Sequence, residues 1–410
     1  MPDQYSRRSF LAGVLTCGTL SAGAIYLLPG GRSLPTIELR LTTGRDPTGA
    51  RDLLIAMWER ANPRTKVRLD IVSSGTLDER VQMLSRAQHG QADIVNLDVI
   101  HIPEFARQKL ITPIPLADSL ELLDPIRRIS QVSDDPDRFW AAPFNTDVGM
   151  LFSHRRGGGD PEQAPTLRDV LDTVTNQQFV GQLKPSAETS NEAFVINVLE
   201  HALSRDGDLL DENGAIEMDT PVNDHLERWQ QALHPLRDAI AEQRVALGDD
   251  ENDSMRIFAD RGLTYMRNWP VKYRELQQLE RPGANPNEIQ LDALPTGILG
   301  GQSLALVANS PHEERAREFI AFMTGEPAQK VLAAHGLAPT RRGAYGDANL
   351  RALIPHLGKL RGAVGAARPR PIHTNYVAFS KAVRDHVYQL LYEKRELQPE
   401  FVTDLRAALA

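Results

Sequence analysis

Apolar and polar positions alternate from Thr36 to Leu41, with Ile37, Leu39 and Leu41 on one side and Glu38 and Arg40 on the other. A period of two predicts a half-buried β-strand. Asp46-Pro47 follows, an N-cap residue and a proline suited to a first helical turn. The spacing predicts a helix to about Ala61, with Leu53, Leu54, Met57 and Trp58 on one face and Asn62-Pro63 as its stop. Val67 to Val72 alternates again and predicts a second strand. Thr76-Leu77-Asp78-Glu79 has capping-box spacing and predicts a helix through about Gln88. Ile94 to Leu97 reads as a third strand, and Ile102 to Leu110 as a third helix. Strand and helix taking turns three times predicts a doubly wound parallel sheet.

The pattern then changes. Three glycines at 157–159 sit in a polar stretch and predict a loop. Asn191 to Leu203 is rich in apolar residues and predicts a long buried helix, and Pro221 to Val245 a second one. Leu263–Met266, Ile289–Leu294 and Leu304–Val307 read as strands. After Pro311 the chain reads as mainly helical, with breaks near Pro339, Pro355 and Pro369-Arg370-Pro371. No internal repeat is visible. An α/β block, a helix-rich block, returning strands and a helical tail predict two lobes with chain crossovers between them.

Composition narrows the classes. The 410 residues carry 46 Lys+Arg against 54 Asp+Glu, a formal charge of −8, and no basic block stands out. That balance argues against a nucleic-acid partner. Cys17 is the single cysteine, which excludes an intrachain disulfide and a cysteine zinc site. Neither a Gly-x-Ser-x-Gly elbow nor a His-Glu-x-x-His motif occurs, and no motif asks for a metal or cofactor.

The N-terminus changes the picture more. Arg7-Arg8 precedes an uncharged run from Ser9 to Leu28, broken by Thr16, Thr19, Ser21 and several glycines. This resembles a twin-arginine export signal. Twenty helical residues span about 30 Å, the thickness of a bilayer core. No Ala-x-Ala site follows the run before residue 36, so residues 9–28 are expected to remain as a membrane anchor. Cys17 is a second route to the membrane, as a lipid attachment point, although Val14-Leu15-Thr16 fits a lipoprotein box poorly. The plainer reading of Cys17 is a small apolar residue within the run. Either way, residues from about 33 onward are expected to work outside the cytoplasm.

Four stretches carry a family resemblance. They are Ala92 to Asp98, Trp140 to Phe152, Tyr265 to Pro270, and Gly300 to Leu306 followed by Ala316 to Thr324. In that order they resemble the extracytoplasmic solute-binding proteins of ABC importers, in particular the family that binds sugars and oligosaccharides. The resemblance implies a class II-like periplasmic-binding-protein fold: two lobes, each a sheet flanked by helices, with a helical C-terminal tail. Residues 1–32 would be the export signal or anchor. Residues 36–145 plus 306–347 would form the first lobe, and 148–304 plus 348–410 the second, with crossovers near 143–149 and 300–308. It further implies a monomeric, non-catalytic protein that captures a small mono- or oligosaccharide and delivers it to an ABC-type permease. Two other readings stay open: a membrane-associated ligand sensor on the same fold, and a glycoside hydrolase drawing its carboxylates from Asp98, Asp147 and Glu192.

Candidate site residues follow from the strand ends, because ligands of open α/β sheets sit beyond the carboxyl ends of the strands. That rule nominates Gly44, Arg45 and Asp46, then Ser74, Gly75 and Thr76, then Asp98. Helix capping competes as the role of Asp46, Thr76 and Asp98. Asn145 and Asp147 flank Thr146 in an extended segment and point to one face, toward either a solute or an interlobe hydrogen bond. Such side chains fork onto vicinal hydroxyls. Glu192 opens the long helix, where it offers acceptors to a solute or favours the helix dipole. Of the four tryptophans, Trp58 and Trp229 fall within helices and read as packing, while Trp140 precedes the crossover and reads either way. Trp269 follows a strand and precedes Pro270, at a loop opening onto the expected cleft, where an indole can stack on a sugar ring. Lobe packing is its alternative role. Tyr273, one turn on, is a second wall or a packing residue. Gly301, beside Gly300, permits close backbone approach or makes a turn. Arg368, at the start of the Pro369-Arg370-Pro371 stretch, completes the set.

Overall fold

The structure, a computed structural model, describes residues 36–72, 76–116, 118–132, 135–154, 165–184, 192–279 and 289–410. The twin-arginine segment, Cys17, Ser74, Gly75 and the glycines at 157–159 lie outside the described residues, as does the side chain of Thr76.

The chain opens with β1 (Ile37–Thr43), α1 (Ala50–Ala61), β2 (Thr65–Ile71), α2 (Thr76–Gln88), β3 (Ile94–Asp98), a 3-10 turn (Val99–His101) and α3 (Ile102–Arg107). Short elements follow: β4 (Ile111–Thr112), β5 (Ile114–Pro115), α4 (Asp124–Ser130), β6 (Gln131–Val132) and β7 (Asp135–Phe139). They lead into β8 (Ala142–Val148) and β9 (Met150–His154). The middle contains α5 (Leu167–Thr173), β10 (Phe179–Gly181), α6 (Glu192–Arg205), α7 (Val222–Ala241), β11 (Val245–Leu247), α8 (Glu251–Arg261), β12 (Tyr265–Asn268), α9 (Val271–Gln278), β13 (Ile289–Ala293) and β14 (Leu299–Val307). The tail is helical: α10 (Glu313–Thr324), α11 (Glu326–Ala334), α12 (Arg342–Gly346), α13 (Ala348–Leu353), α14 (Leu357–Ala366), α15 (Tyr376–Tyr392) and α16 (Pro399–Leu409).

Two main sheets organise these elements. The first has the order β2-β1-β3-β14-β4, with β8 also paired to β14. The strands β2, β1 and β3 run parallel, as the alternation of strands and helices predicts. The sheet is nevertheless mixed, because β14 returns from far along the chain and lies antiparallel to β3, β4 and β8. The second sheet has the order β11-β10-β12-β9-β13, with β9 antiparallel to both neighbours. The chain therefore passes between sheets at Gly149, between β8 and β9, and again between β13 and β14.

Packing follows from the apolar faces. Trp58 on α1 is buried and meets Phe319 of α10 edge-on, ring centroids 5.5 Å apart, over the inward residues Leu39, Leu41 and Leu306 of the first sheet. Trp229 on α7 meets Phe401 of α16 edge-on at 5.4 Å, which ties the C-terminal tail to the helices of the second sheet.

Several boundaries differ from the sequence reading. α1 begins at Ala50 after Gly49, whose φ of 71° breaks the helix, so Asp46-Pro47 is not its N-cap and first residue. The third predicted helix starts at Ile102 as expected but ends at Arg107, and a 3-10 turn capped by Asp98 precedes it. α7 ends at Ala241, and Val245-Ala246-Leu247 pairs instead with Phe179-Val180-Gly181 as β11. β14 starts five residues before Leu304, because Gly300-Gly301-Gln302 pairs along β8 although it lacks an apolar rhythm.

Candidate binding cleft

The ends of β1 and β3, the paired strands β8 and β14, and the starts of α6, α8 and α9 surround a cleft of about 820 Å³. Its floor is the β8/β14 ladder. Asn145 lies opposite Gln302, Thr146 opposite Gly301 and Asp147 opposite Gly300. Side-chain alternation places Asn145, Asp147 and Gln302 at the cleft. Thr146 is buried elsewhere: its amide donates to the Ala338 carbonyl at 3.0 Å, and its hydroxyl to the Gly300 carbonyl at 3.1 Å. Gly301 has φ of 129°, and a Cβ there would stand 2.5 Å from the Asn145 carbonyl oxygen, so only glycine fits this ladder. Asp147 Oδ1 is out of contact with solvent and has no hydrogen-bond partner among the described residues. Burial pushes the Asp147 carboxyl up to about 7, with the charges of Asp98 and Glu251 adding to the effect.

One wall comes from the first sheet. Arg45 is exposed at the mouth. Asp46 accepts from the Thr48 amide at 2.8 Å, the Thr48 hydroxyl at 2.6 Å and the Arg51 amide at 2.9 Å. Burial works against its charge, yet those hydrogen bonds hold its carboxyl below the ordinary value. Asp98 accepts from the Ile100 amide at 3.2 Å and pairs with Arg370 at 2.9 Å. Asp46 and Asp98 thus line the cleft while bonding backbone amides of their own loops and of the helical turns that follow.

Arg370 connects this wall to the other. Its guanidinium is buried, with Nη2 on Asp98 and Nη1 on Glu192, each at 2.9 Å. Burial opposes its charge, but Asp98, Tyr376 and Glu192 hold it protonated, above the ordinary arginine range. Glu192 is fully engaged: it also accepts from the Ser380 hydroxyl at 2.7 Å and from the Tyr376 hydroxyl.

The second wall carries Trp269. The indole is half-buried, and its Nε1 donates to Glu251 Oε1 at 3.0 Å. The Arg267 guanidinium stacks 4.1 Å from the ring centroid. Arg267 is fully buried against Glu200, with Nε–Oε2 at 2.6 Å and Nη2–Oε1 at 2.8 Å. Glu200 Oε1 also accepts from the Ile298 amide at 2.9 Å, just before β14. A Cβ at residue 149 would fall 2.0 Å from Glu200 Oε1, so Gly149 lets the crossover pass over this pair.

Two candidates do not reach the cleft. Tyr273 lines a separate cavity of about 250 Å³ and meets His356 edge-on at 4.4 Å. Trp269 precedes the helix, so helical spacing does not bring Tyr273 to its side. Arg368 points its Nη1 to the Leu210 carbonyl at 2.9 Å, and its backbone bonds Gly297 and Leu299. Arg370, two positions on, lines the cleft instead. The backbone of Thr76 opens α2. Trp140 is partly buried among apolar neighbours.

The sequence reading missed other cleft residues. Glu79, read there as a capping-box partner, stands beside Gly44: a Cβ on that glycine would lie 2.9 Å from Glu79 Oε1. Burial pushes the Glu79 carboxyl up to about 7, and the Asp98 charge adds to this. Glu251 belongs to the run Asp249-Asp250-Glu251 that starts α8, an acidic helix start visible in the sequence as a capping signal only.

Comparison with known proteins agrees with this architecture. The pattern of the family described as bacterial extracellular solute-binding protein matches residues 43–330. The chain belongs to that family. A Deinococcus radiodurans protein named a probable ABC transporter-binding protein is 24% identical over 343 residues, 77% of this chain and 79% of that one. Maltose-bound MalE3 of T. maritima superposes with a TM-score of 0.76 at 23% identity, covering 91% of this chain and 99% of that one. The GacH receptor of Streptomyces glaucescens, described unliganded and with acarbose, gives 0.72 at 16% identity, with 91% and 98% covered. An Agrobacterium vitis solute-binding protein with bound D-mannitol gives 0.70 at 17%, with 91% and 97% covered. The fold is the two-lobed α/β fold of these binding proteins, with a helical C-terminal region, as the four motifs imply. The family is one of extracellular binding proteins.

Proposed function

We propose that this solute-binding protein captures a small carbohydrate in the cleft and delivers it to an ABC-type permease. The observation that carries the reading is the pairing of Trp269, fixed at the cleft by Glu251, with forked polar side chains on the crossover strands, Asn145, Asp147 and Gln302. A sugar ring has apolar C–H faces for an indole and hydroxyls for acceptors and donors. Arg267 covers one face of the Trp269 ring, and the opposite face is the platform for the solute. Arg45, Asp46, Asp98, Glu192, Gly301 and Arg370 complete the site. Of these, Asp46, Asp98, Glu192 and Arg370 position the walls, and Gly301 gives the solute access to the backbone.

The lobes are residues 36–145 plus 306–347 and residues 148–304 plus 348–410, joined through β8 and β14, and they close on the solute without chemistry. Arg7-Arg8 directs export, and residues 9–28 keep the protein at the outer face of the membrane as a monomer. A thermal-shift screen across mono- and disaccharides and sugar alcohols tests the reading. A solute at 100 times its Kd adds about 2.7 kcal/mol of stability, and small-angle scattering with that solute should show compaction. Stabilisation by other small solutes and by no carbohydrate would contradict it.

A further inference from the structure

The cleft is more acidic than recognition of neutral hydroxyls asks. Nine carboxylates line it against four cationic side chains. Most of the acids have partners in the fold. Asp98 and Glu192 share Arg370, Glu275 holds Lys272, and Asp249 holds Lys184. Asp46 is bonded by Thr48 and the Arg51 amide, and Glu251 by the Trp269 indole.

Asp147 differs. Its Oδ1 is out of contact with solvent and meets no donor among the described residues, and the Asp98 charge opposes its ionisation. Glu79 faces the same Asp98 charge from α2. The cations already present relieve this cluster only in part: Arg267 and Lys272 act on Asp147 and Arg51 on Glu79, yet both carboxyls stay above their ordinary range, and Arg45 is exposed at the mouth. Both Arg370 bonds go to Asp98 and Glu192, the Lys272 ammonium is held by Asn252 and Glu275, and Nη1 and Nη2 of Arg51 bond the Thr43 hydroxyl and the Gly44 carbonyl. A buried carboxyl without a partner is costly when ionised. A bound ammonium would let it ionise and make charge-assisted hydrogen bonds.

We propose that the solute supplies the missing cation: an amine-bearing sugar whose ammonium sits among Asp147, Asp98 and Glu79 while its ring lies on Trp269. The ring rests on the carbohydrate reading above, but the ammonium does not. A neutral sugar offers hydroxyl donors to Asp147 but leaves the charges of the cluster unbalanced, so the acids discriminate by charge where Trp269 discriminates by shape.

Calorimetric titration of the purified full chain tests this with four probes: the β-1,4 dimer of glucosamine, its di-N-acetylated counterpart, maltose and spermidine, at a pH where the amines are protonated. The glucosamine dimer should bind about 10- to 100-fold more tightly than the acetylated dimer, the worth of a hydrogen bond to a charged group. Asp147→Asn should cancel that difference. Glu79→Gln, a second variant in case the first fails to fold, should narrow it. If maltose or the acetylated dimer binds as well as the amine, the ammonium site is overturned and the carbohydrate reading stands. If spermidine alone binds and Asp147→Asn abolishes it, the ammonium site stands and the sugar reading is overturned.

Discussion

Gly301 has the least latitude of any residue at the cleft. Its φ of 129° lies where side chains are strained, and a Cβ would press on the Asn145 carbonyl at 2.5 Å. Gly301→Ala should cost about 1–3 kcal/mol in stability, measured by urea unfolding. An unchanged midpoint would mean that the β8/β14 ladder can spread. Asp147 carries a pH signature. Its folded pKa is raised from 3.8 to about 7, so folding favours its protonated form. Ionisation therefore weakens the folded state progressively as pH rises from about 4 to about 7, and the penalty is constant above. Asp147→Asn has no such penalty and should gain stability relative to the parent across that window, by at most about 1.4 kcal/mol per pH unit. Melting curves of both proteins from pH 4 to 8 would show a gap that opens and then levels, and a constant gap would contradict the assignment. These residues were legible because their signals are local. Strand, Trp269 and Pro270 are consecutive, and Asn145 and Asp147 share a face by alternation. Arg370 was not legible, because its partners Glu192 and Asp98 lie 178 and 272 positions away, and no local pattern separates it from Arg368.

At the scale of elements, the second sheet is pinned to the crossover by a buried ion pair. Glu200 of α6 holds Arg267 of β12 and the Ile298 amide ahead of β14, and Arg267 supports the indole of Trp269. Removing one partner leaves the other charge buried and unpaired. Glu200→Ala should therefore cost about 3–5 kcal/mol, read from denaturant unfolding. A loss below about 1 kcal/mol, the worth of an exposed pair, would show that water enters this layer. The early elements were readable because their signals are local: β1 and β2 alternate, β3 is a short, mainly apolar run, and α2 spans Thr76–Gln88 as its spacing predicts. The sequence pattern carries α7 too far, to Val245, because Val245-Ala246-Leu247 continues its apolar run. Only its pairing with β10, more than sixty residues earlier, makes it a strand. β14 was read too short for the converse reason. Its first residues pair through the backbone with β8, and after buried Leu299 they are two glycines and Gln302, which carry no apolar alternation.

At the scale of the molecule, the two sheets and the double crossover make a cleft whose walls belong to elements far apart in sequence. Family and fold were legible because four motifs recur in order, while the solute was not, since the charge of the cleft is assembled from nine separated carboxylates. The same walls bear on the proposed closure of the lobes. Arg370 joins Asp98 at the end of β3 to Glu192 at the start of α6, so separation of the lobes must break or stretch this link. Capture itself rests on Trp269, and titration of Trp269→Ala with the solute found by screening, together with its melting temperature on the same preparation, tests it most directly. The expected result is a loss of about 2–4 kcal/mol in binding, the range of a hot spot, or about 30- to 700-fold in Kd, with a smaller change in stability because the indole is only partly buried. Normal affinity in a strongly destabilised Trp269→Ala protein would contradict it, and would make the indole a packing residue between the lobes.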